Sequence, residues 1–320
     1  MILVTGISGF IGSNIARLLL EKGCGVRGLV RKNSPTANLK SLDVELVEGD
    51  IRNEESLRKA FEGVKACFHA AALVKSGENS SGDYFSTNLQ GTINVCAEAM
   101  RAKVEKFIYT STCETLRLKP DKLRNTIITE DSCSSYSDML SHYGRTKFLA
   151  EEHVRASVAA GLPAVIVNPA AVAGPNDIHL TPPGSLIVTY CKGRIPVYFE
   201  TGFNVVDVRD VAAGHVKAME NGRAGNRYIL GGTNIMLSKL FAVLKEATGA
   251  KPFSFRLPYA LIAAAAKLGN KELLQKIRAS REPFFLDSAK AGKELLWSPR
   301  FDLKASLKDA FDWYRENKIC

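Results

Sequence analysis

The stretch Ile2-Leu3-Val4-Thr5-Gly6-Ile7-Ser8-Gly9-Phe10-Ile11-Gly12 decides the fold of this chain. Ile2, Leu3 and Val4 form an apolar run too short for anything but a strand. From Ile11 onward, apolar residues recur at Ile15, Leu18 and Leu19, which is helical spacing. Three glycines lie between the two patterns. Gly6 permits a tight turn, Gly9 lets backbone N–H groups approach a pyrophosphate, and Gly12 lets helix and strand pack closely. The helix N-terminus would turn its partial positive charge toward the phosphates. The stretch predicts a dinucleotide cradle, the plainer alternative being an ordinary glycine-rich turn between strand and helix.

Outward from this loop, strand and helix patterns alternate. Gly25–Val30 and Val44–Val47 read as strands and Ser56–Phe61 as helix. Ala66–His69 reads as a fourth strand that runs into the small residues Ala70, Ala71 and Ala72. The pattern continues with a long helix over Tyr84–Ala102, a strand over Phe107–Thr110, a helix over Tyr143–Ala160 and a strand over Ala164–Val167. This alternation predicts an α/β fold, a Rossmann doubly wound parallel sheet. After Asn168-Pro169, prolines and glycines cluster at Gly174-Pro175 and Pro182-Pro183-Gly184. Residues 1–169 therefore read as a dinucleotide-binding domain and 170–320 as a smaller C-terminal substrate-binding lobe. A return to the main sheet is expected near Asn204–Val208. Leu303, Leu307, Ala310, Phe311 and Tyr314 mark one face of a terminal amphipathic helix.

Apolar residues make up 46% of the 320, enough for a sizeable core and too many for disorder. The longest apolar run, Tyr259–Ala266, stops at Lys267, reads as a buried helix and is too short for a membrane span. The N-terminus shows no charged leader or cleavage site, so a cytoplasmic protein is expected. The seven cysteines (Cys24, Cys67, Cys96, Cys113, Cys133, Cys191, Cys320) form no C-x-x-C pair and are odd in number. That argues against a disulfide framework and a metal site, and for reduced thiols. Asn79-Ser80-Ser81 matches a glycosylation acceptor but carries no weight without a secretion signal. The net charge of +10 is spread along the chain without basic blocks, which speaks against nucleic acid and for an anionic small ligand.

NAD enzymes of this architecture place an acidic residue after the second strand to hold the ribose 2′-hydroxyl. From Lys22 to Leu42 there is none, and the strand ends in Val30-Arg31-Lys32. A guanidinium and an ammonium suit a 2′-phosphate. NADP is therefore expected over NAD, unless Arg31 and Lys32 merely face solvent.

Tyr143 and Lys147 stand four residues apart and share a helix face. A free phenol titrates near ~10, and a neighbouring cation lowers that value. A drop of about 3 units corresponds to about 4 kcal/mol, which Lys147 and a bound nicotinamide could supply. The pair alone is weak, since surface Tyr–Lys pairs are common. It gains weight from Tyr109-Thr110-Ser111-Thr112, which puts hydroxyls at the carboxyl edge of the sheet, where such folds bind ligands. Thr112 would steady the reacting oxygen beside Tyr143. Strand-end capping is the other use for Ser111 and Thr112.

Taken together, these motifs resemble the extended short-chain dehydrogenase/reductase superfamily, also described as NAD-dependent epimerases/dehydratases. The resemblance covers essentially the whole chain. It rests on the glycine loop, Gly49-Asp50-Ile51, His69-Ala70-Ala71-Ala72, Asn88-Leu89-Gln90-Gly91-Thr92, Thr110-Ser111-Thr112, Tyr143 with Lys147, and Asn168-Pro169. Within it the chain looks similar to the dihydroflavonol-4-reductase-like group and its hopanoid-associated sugar epimerase branch. Ser141-His142-Tyr143, Lys147–Glu152, Asp210–His215 and Arg227–Gly232 carry that likeness. The resemblance implies Thr112, Tyr143 and Lys147 as catalytic residues. It implies a cofactor site of Gly6, Gly9, Phe10, Ile11, Gly12, Arg31, Lys32, Asp50, Ile51, Ala70, Ala71, Ala72, Asn88, Ser111, Tyr143, Lys147, Asn168 and Pro169. Family habit also implies a homodimer through the helices at Tyr84–Ala102 and Tyr143–Ala160.

Two departures bear on substrate. Plant dihydroflavonol reductases carry an Asn five positions after the catalytic serine, and Arg117 stands there in this chain. Nucleotide-sugar epimerases hold a diphosphate with arginines of the second lobe, for which Arg209 and Arg281 are the candidates. Cys113 reads as a buried inert thiol, with pocket lining as its other use. Some of Tyr190, Tyr198, Phe199, Phe203, Tyr259, Phe284 and Phe285 are expected to line an apolar pocket and most to be core. Three functions remain open: an NADP-dependent reductase of ketones or aldehydes (or the reverse oxidation), a sugar epimerase or dehydratase with retained cofactor, and a non-catalytic dinucleotide sensor.

Overall fold

The computed structural model describes residues 1–74, 81–118, 126–132, 134–250, 252–268, 277–278 and 280–320. Cys133 and the pair Asn79-Ser80 lie outside them. The strands are β1 (Ile2–Thr5), β2 (Val26–Val30), β3 (Glu45–Glu48), β4 (Ala66–His69) and β5 (Lys106–Thr110). They continue with β6 (Ala164–Pro169), β7 (Ala171–Ala173), β8 (Gly202–Asp207), β9 (Arg227–Leu230) and β10 (Thr233–Met236). Seven of them form one sheet in the order β9-β6-β5-β4-β1-β2-β3, every neighbouring pair parallel. This is the doubly wound sheet expected of the alternating pattern.

The strand order reverses between β1 and β4, which pair from Ile2↔Ala66 to Thr5↔His69. The crevice beyond their carboxyl ends is the switch point where such sheets bind ligands. The glycine loop leaves one side of it and Ala70–Ala72 the other.

Alternation along the strands builds a core on each face. Val4, Phe68, Ile108 and Val165 join one apolar cluster, and Leu3, Cys67, Phe107 and Ile166 join the other. Helices α1 (Phe10–Glu21), α2 (Glu54–Ala60), α3 (Gly91–Arg101), α4 (His142–Ala159) and α5 (Val208–Asn221) cover these faces. A third cluster, including Val205, Leu240, Leu244, Leu307 and Tyr314, lies in the C-terminal lobe. It buries Leu307, Ala310 and Tyr314 of α6 (Leu303–Glu316), close to the expected face.

Three expectations need correction. The strand at 202–207 does not return to the main sheet. It pairs with β7 and β10 in a separate three-stranded sheet, and β9 makes the return beside β6. Both segments are short apolar runs, and periodicity cannot tell which sheet such a run will join. The helix expected over Tyr84–Ala102 is interrupted by a π-helical segment, Phe85–Gln90, before α3 begins. The apolar helix Tyr259–Leu268 is not buried: Leu261 is 58% exposed, and of Tyr259–Ala266 only Ala266 is buried. Among the described residues no helix is long and apolar enough to cross a membrane.

Candidate active site

Gly6 has φ +69°, and a Cβ there would lie 2.7 Å from the Ala71 backbone. Only glycine suits both the backbone sign and the contact. A Cβ on Gly12 would collide with the Gly6 carbonyl oxygen, so α1 can start this close to β1 only with glycine there. Gly9 caps α1 without a side-chain hydrogen bond, so no cap side chain covers the first-turn N–H groups. Phe10 is buried and Ile11 half-buried in the first turn. This cradle fits a pyrophosphate.

At one end of the sheet edge, beyond β2 and β3, a cavity of about 640 Å³ is lined by Arg31, Lys32, Asn33, Glu48, Gly49, Asp50, Asn53 and Ser56. Arg31 and Lys32 are exposed there. Arg52, which sequence reasoning passed over, grips Asp50 with two side-chain hydrogen bonds of 3.0 and 2.7 Å. That contact holds the Asp50 carboxyl below its ordinary range, and the Arg31 charge adds to the effect. Ile51 is buried beneath.

At the other end, β5 delivers Ser111 and Thr112, and α4 delivers Tyr143 and Lys147. Ser141 caps α4 by accepting the Gly144 N–H at 2.9 Å, which fixes the first turn and Tyr143 within it. The Thr112 hydroxyl lies beside the Tyr143 phenol, where it favours the phenolate, and accepts the Glu114 N–H at 3.3 Å. Lys147 is only 2% exposed. Its Nζ donates to the Thr110 carbonyl at 2.7 Å and lies 4.2 Å from the centre of the Tyr109 ring. Burial pulls its pKa down to about 7, against the opposing pull of Glu151.

Burial and the Glu114 carboxylate push Tyr143 upward, while its Thr112 interaction pulls the other way. Burial also lifts the Cys113 thiol to about 12, which keeps it protonated and inert.

Behind these groups lies a network the sequence did not disclose. Glu151, one helical turn past Lys147, is 2% exposed. Its Oε2 accepts Ser111 Oγ at 2.5 Å, Thr115 Oγ1 at 2.8 Å and Asn168 Nδ2 at 3.0 Å, and its Oε1 faces Arg227 at 3.3 Å. The spacing Tyr143, Lys147, Glu151 is the signal that could have found it. Ser111 and Asn168 are thus braced by Glu151. Pro169, next to Asn168, is buried at the end of β6. Asn168 Nδ2 also reaches the Thr112 carbonyl at 3.1 Å, while its Oδ1 is buried with no partner among the described residues. A buried acceptor left open suits a ligand donor. Asn88 is a brace as well: it bonds both backbone groups of Leu73, at 2.7 and 3.0 Å, and Thr146 Oγ1 at 3.1 Å. It holds the segment after β4, with half-buried Ala70–Ala72, against α4.

The lobe side chains divide. Arg209 is spent on Asp207 and Asp309, both at 2.8 Å, and Arg281 lies near Glu282 at 3.7 Å. Tyr190 stacks on Phe241 with centroids 4.0 Å apart and is core. Phe284 is buried, with the Arg117 guanidinium 4.3 Å above its ring.

A model of the NAD-dependent epimerase/dehydratase family matches residues 2–231. A Synechocystis protein provisionally named dihydroflavonol 4-reductase is 34% identical over 98% of this chain and 94% of its own. Sterol demethylase protein B of Methylococcus capsulatus is 32% identical over 98% of both chains. The crystal structure of gox2253 superposes with a TM-score of 0.90 at 37% identity, covering 100% of this chain and 99% of that one. The chain belongs to the NAD-dependent epimerase/dehydratase family, within the extended short-chain dehydrogenases/reductases, and is an NAD(P)-dependent enzyme.

Proposed function

We propose that this enzyme is an NADP-dependent oxidoreductase that interconverts a ketone or aldehyde and the corresponding alcohol. The observation that carries the reading is the meeting of the Tyr143 phenol with the Thr112 hydroxyl, one helical turn from buried Lys147, at the carboxyl edge of the sheet. The name of the Synechocystis relative, a reductase, agrees with it.

The uncapped cradle at Gly6, Gly9 and Gly12 and the open acceptor of Asn168 fit a nicotinamide dinucleotide. Gly6–Gly12 would hold its pyrophosphate, Arg31 and Lys32 its 2′-phosphate, and Asp50 and Ile51 its adenine. Ala70–Ala72 would flank it at the switch point, and Asn168 and Pro169 would lie at the nicotinamide. Bound there, the cofactor supplies a hydride to the carbonyl carbon. The chain does the rest: Thr112 Oγ1 holds the carbonyl oxygen, and Tyr143 Oη gives it a proton as negative charge builds. Lys147 would hold the cofactor ribose. The lobe from about residue 170 onward takes the substrate.

Two observations weigh against a nucleotide-sugar epimerase. Arg209 is consumed by Asp207 and Asp309, and no acid follows β2. Replacing the phenol tests the reading. Tyr143→Phe should lower kcat for carbonyl reduction about 10²- to 10⁴-fold, with NADPH binding by fluorescence titration unchanged. Wild-type turnover in the variant would sink the assignment. Retained NAD with no net cofactor turnover would point to epimerisation instead.

A further inference from the structure

We propose that the apolar face built from Val197, Phe253, Phe255 and the helix Tyr259–Leu268 docks on an anionic phospholipid bilayer, with the protein lying on the membrane surface rather than crossing it. The inference goes beyond the oxidoreductase reading and does not depend on it.

The helix Tyr259–Leu268 inverts the usual arrangement of a surface helix, which turns apolar residues inward and polar ones to water. Here Ala260, Leu261, Ala264 and Ala265 are exposed, and their spacing puts them on one face. No residue from Ala260 to Ala266 is polar. A second apolar group adjoins the helix. The short strands Val197–Tyr198 and Phe255–Arg256 pair in parallel with Phe255 opposite Val197, so these two side chains share a side of the ribbon. The Phe253 ring meets Phe255 edge-on with centroids 4.3 Å apart. Phe253 is 70% exposed and Phe255 55%, and Val197 is exposed beside them. The two groups are tied together. The Leu257 N–H donates to the Tyr198 carbonyl at 2.7 Å, and the Tyr259 ring meets Phe199 with centroids 5.8 Å apart. A contiguous apolar surface of this kind, bordered by charge, marks an interaction site.

Charge selects the partner. Residues 251–282 carry seven Lys and Arg against two Glu, so half of the net charge of +10 falls in a tenth of the chain. Arg256, Arg278 and Arg281 are exposed, and the Arg281 guanidinium lies 5.3 Å over the Tyr259 ring. A second copy of this chain is the poorer occupant. A two-fold interface sets a patch against itself, and here it would press one cationic segment onto another. A layer of anionic headgroups attracts the same cations. Long arginine stems can reach that layer while Phe253, Phe255 and Leu261 enter the acyl boundary below it. Among the described residues no helix is long and apolar enough to cross, so the contact is peripheral.

The test is co-sedimentation of the full chain with vesicles of phosphatidylglycerol and phosphatidylcholine in equal parts, and with vesicles of phosphatidylcholine alone. Wild type should bind the anionic vesicles about tenfold or more tightly than the neutral ones. Raising salt from about 0.1 to about 0.5 M should release it. Two double variants separate the parts of the surface. Phe253→Ser with Phe255→Ser removes the rings, and Arg278→Glu with Arg281→Glu reverses two charges and leaves the rings in place. Each should weaken binding to the anionic vesicles about tenfold or more, with the melting temperature unchanged, because all four side chains are exposed. Wild type that stays in the supernatant would overturn the proposal. So would equal binding to both kinds of vesicle, or a Phe253/Phe255 variant that binds as tightly as wild type. A wild-type dimer that the same variant turns monomeric, with neither form binding vesicles, would give the face to a second copy and overturn it too. No turnover enters these measurements, so their outcome stands apart from the Tyr143→Phe test.

Discussion

Two arginine–carboxylate pairs sit at opposite ends of the same sheet edge, and they live in different media. Arg52–Asp50, beside the 640 Å³ cavity, has side chains 47% and 25% exposed. Arg227–Glu151, behind Thr112 and Asn168, has side chains 18% and 3% exposed. Water screens the first pair, and its cations can turn toward an arriving anion. The second pair is locked: Arg227 also donates to the Glu130 and Ser132 carbonyls at 2.8 and 3.2 Å, and Glu151 collects three further donors. The contrast teaches that charge at the open end stays solvated and movable, as the proposed cofactor site requires. Charge at the closed end braces Ser111 and Asn168 and is expensive to disturb.

The heaviest blow to this contrast would be a cheap deletion at the closed end. Glu151→Ala removes the carboxylate facing Arg227 and the acceptor of the Ser111 hydroxyl, and takes one acceptor each from Thr115 and Asn168. Removing one partner of a buried pair costs about 3–5 kcal/mol. Chemical denaturation should show a loss of that order. A loss below about 1 kcal/mol would mean that the network is wet and that the closed end is no different from the open one.

The same contrast explains what the sequence made legible. The glycine loop, the strand–helix alternation and the Tyr143/Lys147 pair are local signals. A positive φ at Gly6 and an i,i+4 spacing are written within a few residues. Arg227 and Glu151 are 76 residues apart, and nothing local announces their meeting. The lobe was misread where an apolar run had to choose a sheet, at 202–207. It was misread again at Tyr259–Ala266, because an apolar run does not state whether the surface above it is covered.

At the open end, the double variant Arg31→Ala, Lys32→Ala sharpens the comparison by separating binding from stability. Both side chains are exposed, so the fold should not notice their loss. The KM for NADPH should rise about 10- to 100-fold, near 1.4 kcal/mol per tenfold, while the KM for NADH stays where it was. If the proposed 2′-phosphate site is right, wild type should favour NADPH at low salt, and higher salt should erode that preference. Equal effects on both cofactors would remove the two residues from a 2′-phosphate site.

Arg52→Ala should give the smallest effect and makes the most direct comparison with Glu151→Ala, since each removes one member of an arginine–carboxylate pair. The Arg52 guanidinium makes two hydrogen bonds to Asp50, geometry as good as that of the buried pair. If geometry alone set the strength of an ion pair, the two variants would cost the same. Exposure predicts otherwise: water takes over both charges when the pair is broken, and the loss should stay within about 1 kcal/mol. The freed Asp50 carboxylate would then face Arg31, whose charge already favours its ionised form. Part of the cation field at the cavity would be neutralised, so NADPH affinity should weaken, but less than in the Arg31/Lys32 double variant. A stability loss near that of Glu151→Ala would show that Asp50 and Arg52 act as a structural clamp on the turn after β3. The cavity they border would then be as closed to rearrangement as the catalytic end.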